Sequence, residues 1–210
     1  MAENKQASGK ILCLEGLRGL CALSVLLSHV FWNATGYRTS HESYFPGYFW
    51  AFIGDFSNIG VLLFFVLSGF VIEYTTQMPF SWGEAKRYLA RRFIRIYPIY
   101  ILVLIFSFSL SDNPSDTWLR FSGNALFLQT WLVKCLSNNS VFWTLHLEIA
   151  FYLLYLLVWR FKPKINYLLF GTALCAMVSP FIESHLLRIF GYFFLWVAGL
   201  NLADRHLKKH

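Results

Sequence analysis

Three groups of polar side chains interrupt apolar runs in this sequence, and each could do chemistry there. The first is Arg18 with His29, both inside EGLRGLCALSVLLSH (residues 15–29). Arginine at the centre of a membrane helix costs about 2.5–3.5 kcal/mol on insertion scales. Near a helix end the cost falls because the long side chain snorkels, and Glu15, three residues earlier, can pair with Arg18 on one face. His29 is harder to explain as structural. Eleven residues turn a helix through about 1100°, within roughly 20° of three full turns, and advance it by about 16 Å. Arg18 and His29 therefore point the same way and should face the protein interior.

The second group centres on Glu148, deep in FWTLHLEIAFYLLYL (residues 142–156) with no cation nearby in sequence. An intramembrane carboxylate without a local partner is by default a functional hypothesis. Thr144 shares its face, Phe151, Tyr152 and Tyr155 lie close to that face, and His146 is on roughly the opposite side. The structural alternative is a glutamate hydrogen-bonded across helices, to Arg18 or a tyrosine. The third group is Arg91, Arg92 and Arg95 in RYLARRFIRIYPIY (residues 87–100), followed by Pro98. Arginine forks bind phosphate well, although the excess of cations in cytoplasmic loops also predicts a basic cluster here. Intramembrane Arg, His and Glu equally mark ion and proton pathways, so a transporter or proton-coupled binding module stays open at this point.

These groups need elements to hold them, and composition says which kind. Of 210 residues, 57% are hydrophobic and only 14% charged, against roughly 25% charged in a soluble domain. Long uncharged runs recur along the chain, which predicts an all-α, multi-pass transmembrane helical bundle. About six spanning helices are expected, at 13–32, 56–75, 95–111, 141–159, 165–182 and 186–203, from the need for about 20 mainly apolar residues per span. Residues 121–135 are apolar but short, and are expected to form an interfacial or re-entrant segment. With that segment not crossing, all four basic clusters fall on one side, so both termini are expected in the cytoplasm. The net charge of +7 then reflects topology, and nucleic acid is not an expected partner.

MAENKQASGK (residues 1–10) contains an acid and no clear small-residue cleavage site, so the first apolar stretch reads as a retained helix. Residues 37–56, crowded with aromatic rings, face outward in this topology, as an interfacial belt or as the lining of an acceptor cleft. The four cysteines match no zinc or disulfide spacing and read as packing residues. No metal is expected.

Five motifs in order along the chain resemble one family, the acyltransferase-3 group of integral membrane acyltransferases. LEGLRGLCALSVLLSH (residues 14–29) is similar to its opening helix, with Arg18 and His29 at the Arg-x10-His positions. FFVLSGFVI (64–72) resembles the second-helix signature, and RRFIRIYPIY (91–100) the arginine-rich motif. NALFLQ (124–129) and WTLHLEIAFY (143–152) follow in the family's order, with Thr144 where the family usually has serine. The resemblance covers essentially all of the chain, residues 1–210, as a single membrane acyltransferase domain. It reaches only the first six or so helices of a family pattern of about ten, so the domain is expected to lack the last ones.

The resemblance implies transfer of an acyl group, by default acetyl, from cytoplasmic acyl-CoA to a hydroxyl of an extracytoplasmic carbohydrate or glycan precursor. Acyl-CoA is then a co-substrate, and no permanently bound cofactor is implied. An alcohol needs its proton removed to become a nucleophile, which suits imidazole; His29 is the candidate base or the transiently acylated residue. Glu148 would orient the imidazole or stabilise its cation. Arg18 would neutralise a phosphate or the developing oxyanion. Arg91, Arg92 and Arg95 would hold the CoA phosphates, with Ser68, Thr144 and Tyr152 as supporting polar groups. An inactive fragment that inserts but binds nothing is the opposing expectation.

Overall fold

The computed structural model describes residues 2–35, 47–129, 131–137, 142–182 and 184–209. They form seven helices: α1 (Ala2–Thr35), α2 (Gly47–Thr75), α3 (Trp82–Ser109), α4 (Trp118–Ala125), α5 (Phe142–Phe161), α6 (Ile165–Val178) and α7 (His185–Leu207). Among the described residues, five segments are long and apolar enough to cross a membrane: Leu12–Val30, Asn58–Thr75, Trp82–Ser109, Phe142–Phe161 and His185–Leu207. The protein is an all-helical, multi-pass membrane protein, as its hydropathy requires. Of the aromatic stretch 37–56, residues 37–46 lie outside the described residues, and 47–56 open α2.

Two helices differ from the expected spans. α3 starts at Trp82 rather than near residue 95, because Ser81 caps it: the Ser81 hydroxyl accepts the Glu84 backbone N–H at 3.2 Å, and Ser-x-x-Glu is a capping pair. The basic segment is thus the first half of a continuous helix of 28 residues, about 42 Å long. That exceeds a hydrocarbon core of about 30 Å, so its first turns can project beyond the lipid. Pro98 lies inside α3. α6 is the second difference. Its 14 residues extend only about 21 Å before Ser179 and Pro180 end it, so the run at 165–182, expected as a span, is a short helix.

The described residues divide into two compact units, one drawn from 1–77, 169–173 and 191–210, the other from 78–168 and 174–190. In the first, α1 packs on α2, with Gly60 against Ser24 and the Cys21 carbonyl. α2 and α7 cross still more closely: Gly69 lies against the Trp196 carbonyl, and Gly199 against the Val66 carbonyl. Small residues let membrane helices approach at backbone distance, where dispersion replaces the missing hydrophobic drive.

In the second unit α3 and α5 run antiparallel, as their ring contacts show. Trp159, at the end of α5, stacks edge-on to Phe80 and donates its indole N–H to the Met78 carbonyl at 2.9 Å. Tyr155 and Tyr152 meet Tyr88, and Phe142, at the start of α5, meets Tyr100. α5 then stops at Phe161 because Lys162 takes a left-handed φ of 46° and Pro163 follows. All four cysteines are free thiols; Cys13 is exposed and the others are half-buried, so Cys13 is not the packing residue expected.

Candidate active site

Each unit holds part of the polar set. In the first unit α1 presents Arg18, Ser24 and Ser28 as buried residues, with His29 half-buried beside them. Arg18 and His29 therefore belong to one inward stripe of a continuous helix. Arg18 is only 5% exposed. Its Nη1 donates to both carboxylate oxygens of Glu15 at 3.4 Å, and its guanidinium lies over the Phe64 ring at 4.9 Å. It is thus neutralised locally and does not snorkel. Ser68, on α2, is fully buried, and its hydroxyl has no hydrogen-bond partner among the described residues.

In the second unit Glu148 is 3% exposed and accepts the phenolic proton of Tyr152, one turn on along α5. Thr144 is half-buried on the same helix. An arginine of α3 covers the ring that bonds Glu148. The Arg92 guanidinium lies 5.6 Å from the Tyr88 ring centre and 5.7 Å from that of Tyr152. The three arginines do not act as one cluster. Arg91 and Arg95, four apart, share an exposed stripe, while Tyr88 and Arg92, also four apart, share the neighbouring stripe turned toward α5. Arg95 stands at the rim of an open apolar groove of about 330 Å³ lined by Ile96, Ile99, Val103, Phe142 and Leu145.

Behind this site the chain folds back without crossing. α4 has eight residues, about 12 Å, and the segment after it returns through a single bridge between Gln129 and Val133. Polar side chains pin it. Tyr100 donates to the Asn124 carbonyl at 2.7 Å, the Asn124 amide donates to the Lys134 carbonyl at 2.9 Å, and Gln129 reaches the Phe142 carbonyl at 3.3 Å. Asn124 and Gln129 are both fully buried.

His146 belongs to the same support. An indole N–H only donates and a carbonyl only accepts. Trp131 Nε1 donates to His146 Nε2, which places the proton on Nδ1, facing the Phe127 carbonyl at 2.8 Å. His146 is therefore a neutral, doubly engaged imidazole and not a free base.

Outside the spans, Asp116 ties the loop after α3 to the returning segment. Burial alone would raise its carboxyl, but the hydroxyls of Ser111 and Ser137, the Arg120 guanidinium and the Ser137 backbone N–H hold it at about 2. Among the described residues no three His, Cys, Asp or Glu side chains gather as a metal site would need.

The sequence profile of the acyltransferase domain family matches residues 11–208. The chain belongs to the acyltransferase-3 family. It is 28% identical over 190 residues to acyltransferase MdmB of Streptomyces mycarofaciens, covering 81% of this chain and 46% of that protein. A protein named as an acetyltransferase, ORF330 of Acidianus two-tailed virus, is 29% identical over 211 aligned residues, covering 92% of this chain and 57% of its own length. The chain thus spans about half the length of these curated relatives. No solved structure matches it.

The motifs that resembled the acyltransferase-3 family divide between chemistry and scaffold. NALFLQ supplies the buried Asn124 and Gln129 that pin the returning segment. FFVLSGFVI supplies Gly69, where α7 crosses. Tyr88 was missed in the sequence, although its position four residues before Arg92 on a helix is a readable signal.

Proposed function

We infer that this acyltransferase-3 chain moves an acyl group, by default acetyl, from cytoplasmic acyl-CoA to a hydroxyl of an extracytoplasmic carbohydrate or glycan precursor. The observation that carries this reading is the Glu148–Tyr152–Arg92 group, with Glu148 and Tyr152 buried and Arg92 half-buried, in a chain of that family. Charged groups are costly in such surroundings and are retained chiefly for function.

In the proposed reaction the acceptor oxygen attacks the thioester carbonyl carbon. His29 takes the hydroxyl proton, the carbonyl oxygen gains negative charge, and the carbon–sulfur bond breaks as that charge returns. The CoA thiolate leaves with the bonding electron pair and is protonated by the imidazolium. Within the second unit, Glu148 is held by Tyr152. Arg91 and Arg95 are exposed on the half of α3 where the basic residues lie, which suits solvated phosphates. Arg18 is eleven residues from His29 on α1, about 16 Å along the axis, so both side chains do not serve one reacting atom. Its place in this reading is a donor phosphate and not the oxyanion. Both termini are cytoplasmic in this reading, and CoA enters as a co-substrate.

The acceptor need not be identified for the test. Membranes containing the wild-type chain or its His29→Ala form receive acetyl-CoA labelled in the acetyl group, and label is counted in each envelope fraction. Transfer that requires His29 is the expected result. Equal transfer with and without His29 would remove it as the base.

A further inference from the structure

We propose that Tyr88 Oη and Arg92 Nε bind the carbonyl oxygen of the acyl thioester, as a paired donor site within the second unit. This rests on the acyl-CoA reading above and goes one step further, naming which atoms polarise the electrophile.

Tyr88 is 1% exposed. Its phenol oxygen lies beside the Arg92 guanidinium, and neither the Tyr88 hydroxyl nor the buried Arg92 Nε–H meets an acceptor within hydrogen-bond distance among the described residues. Buried donors without an acceptor are expensive, and folded proteins keep few of them. Here two come from one stripe of α3, one turn apart. The arginine is stacked over the Tyr88 and Tyr152 rings, which satisfies the faces of the guanidinium and leaves its N–H groups to bond in their own plane. The Tyr88 ring is itself fixed against Tyr152, Tyr155 and Trp159 at 5.6–6.3 Å. The donors are therefore held in place before any ligand arrives.

Charge selects the ligand class. One cation, Arg92, and one carboxyl group, Glu148, both meet Tyr152. A phosphate would bring further negative charge beside Glu148 in a setting with little screening. A neutral carbonyl oxygen brings none, and the charge it acquires as the hydroxyl oxygen adds is met by Arg92 and Tyr88, as in an oxyanion hole. The phosphates have their own cations in the exposed Arg91 and Arg95.

Difference infrared spectroscopy of the full chain in lipid nanodiscs, with acetyl-CoA labelled by carbon-13 at the carbonyl, reads this contact directly. The expected result is a carbonyl stretch lowered on binding to the wild type that moves back toward its solution position in Tyr88→Phe and in Arg92→Lys. Free CoA should bind the wild type and Tyr88→Phe equally, and Arg91→Ala should weaken CoA binding without moving the band. Transfer at saturating acetyl-CoA should fall about 100-fold in Tyr88→Phe, the usual cost of one oxyanion donor. A bound carbonyl at the same frequency in wild type and Tyr88→Phe would overturn the assignment and leave the acyl-CoA reading standing. Weaker binding of free CoA in Tyr88→Phe, with an unchanged transfer rate, would mark a phosphate site and also overturn it. Acetyl-CoA that does not bind the wild type at all would overturn the acyl-CoA reading itself, and this assignment with it.

Discussion

Tyr152 donates its phenolic proton to Glu148 across a single turn of α5, with both side chains buried. The helix thus brings its own partner for a carboxylate that stands far from any cation in sequence. Spacing i to i+4 places the two side chains over one another, and the Arg92 guanidinium covers the Tyr152 ring from α3.

Tyr152→Phe keeps the ring and removes the donor. Losing a hydrogen bond to a charged, buried group costs about 1–3 kcal/mol. The variant should lose its folded, monodisperse form at lower temperature than the wild type in the same detergent, and acyl transfer should fall with it. An unchanged midpoint would show that the Tyr152 bond is not what secures Glu148.

Gly69 and Gly199 test the close crossing of α2 and α7. A Cβ at Gly69 would meet the Trp196 carbonyl, and one at Gly199 the Val66 carbonyl. Backbone does not move aside as a flexible side chain does, so overpacking here should cost at least the usual ~1–3 kcal/mol. Gly69→Val should sharply reduce the folded yield, whereas Gly171→Val, where a Cβ meets nothing within 4 Å, should express normally. Equal yields would mean that the helices can separate at no cost.

Asp116 makes a pH prediction for the returning segment. Its carboxyl titrates at about 2 when folded, against 3.8 ordinarily. A depressed pKa means the contribution is fully present above about pH 4, and is lost as pH falls through 2. Amide hydrogen exchange across 131–137 should therefore be slow and flat with pH above that window once the intrinsic rate is divided out, and should rise below it. Asp116→Asn should show the faster exchange already at pH 7. Identical exchange in the variant would assign the tether to Asn124 and Gln129 alone.

The sequence by itself determined the all-helical membrane architecture, because hydropathy and span length are local properties of the chain. It also carried the family, through motifs in order from residue 14 to 152 in a chain whose family profile matches residues 11–208, and the inward stripe of Arg18 and His29, through helical periodicity alone. The start of α3 was legible too, in Ser81 and Glu84, but a search for apolar runs passes over a helix whose first half is basic.

Other features depend on contacts between residues distant in sequence. Nothing in RYLARRFIR says that Arg92 turns inward while Arg91 and Arg95 stay exposed; the packing of α5 decides that, because the ring that receives Arg92 lies sixty residues away, at Tyr152. His146 looks titratable until Trp131 and the Phe127 carbonyl engage both nitrogens. Asn124 and Gln129 look like ordinary loop amides until burial obliges them to bond. Hydrophobic pattern places a residue inside a helix bundle. Only the tertiary structure decides which buried polar group meets which, since each bond needs a partner within about 3 Å, and a one-dimensional pattern does not specify that distance.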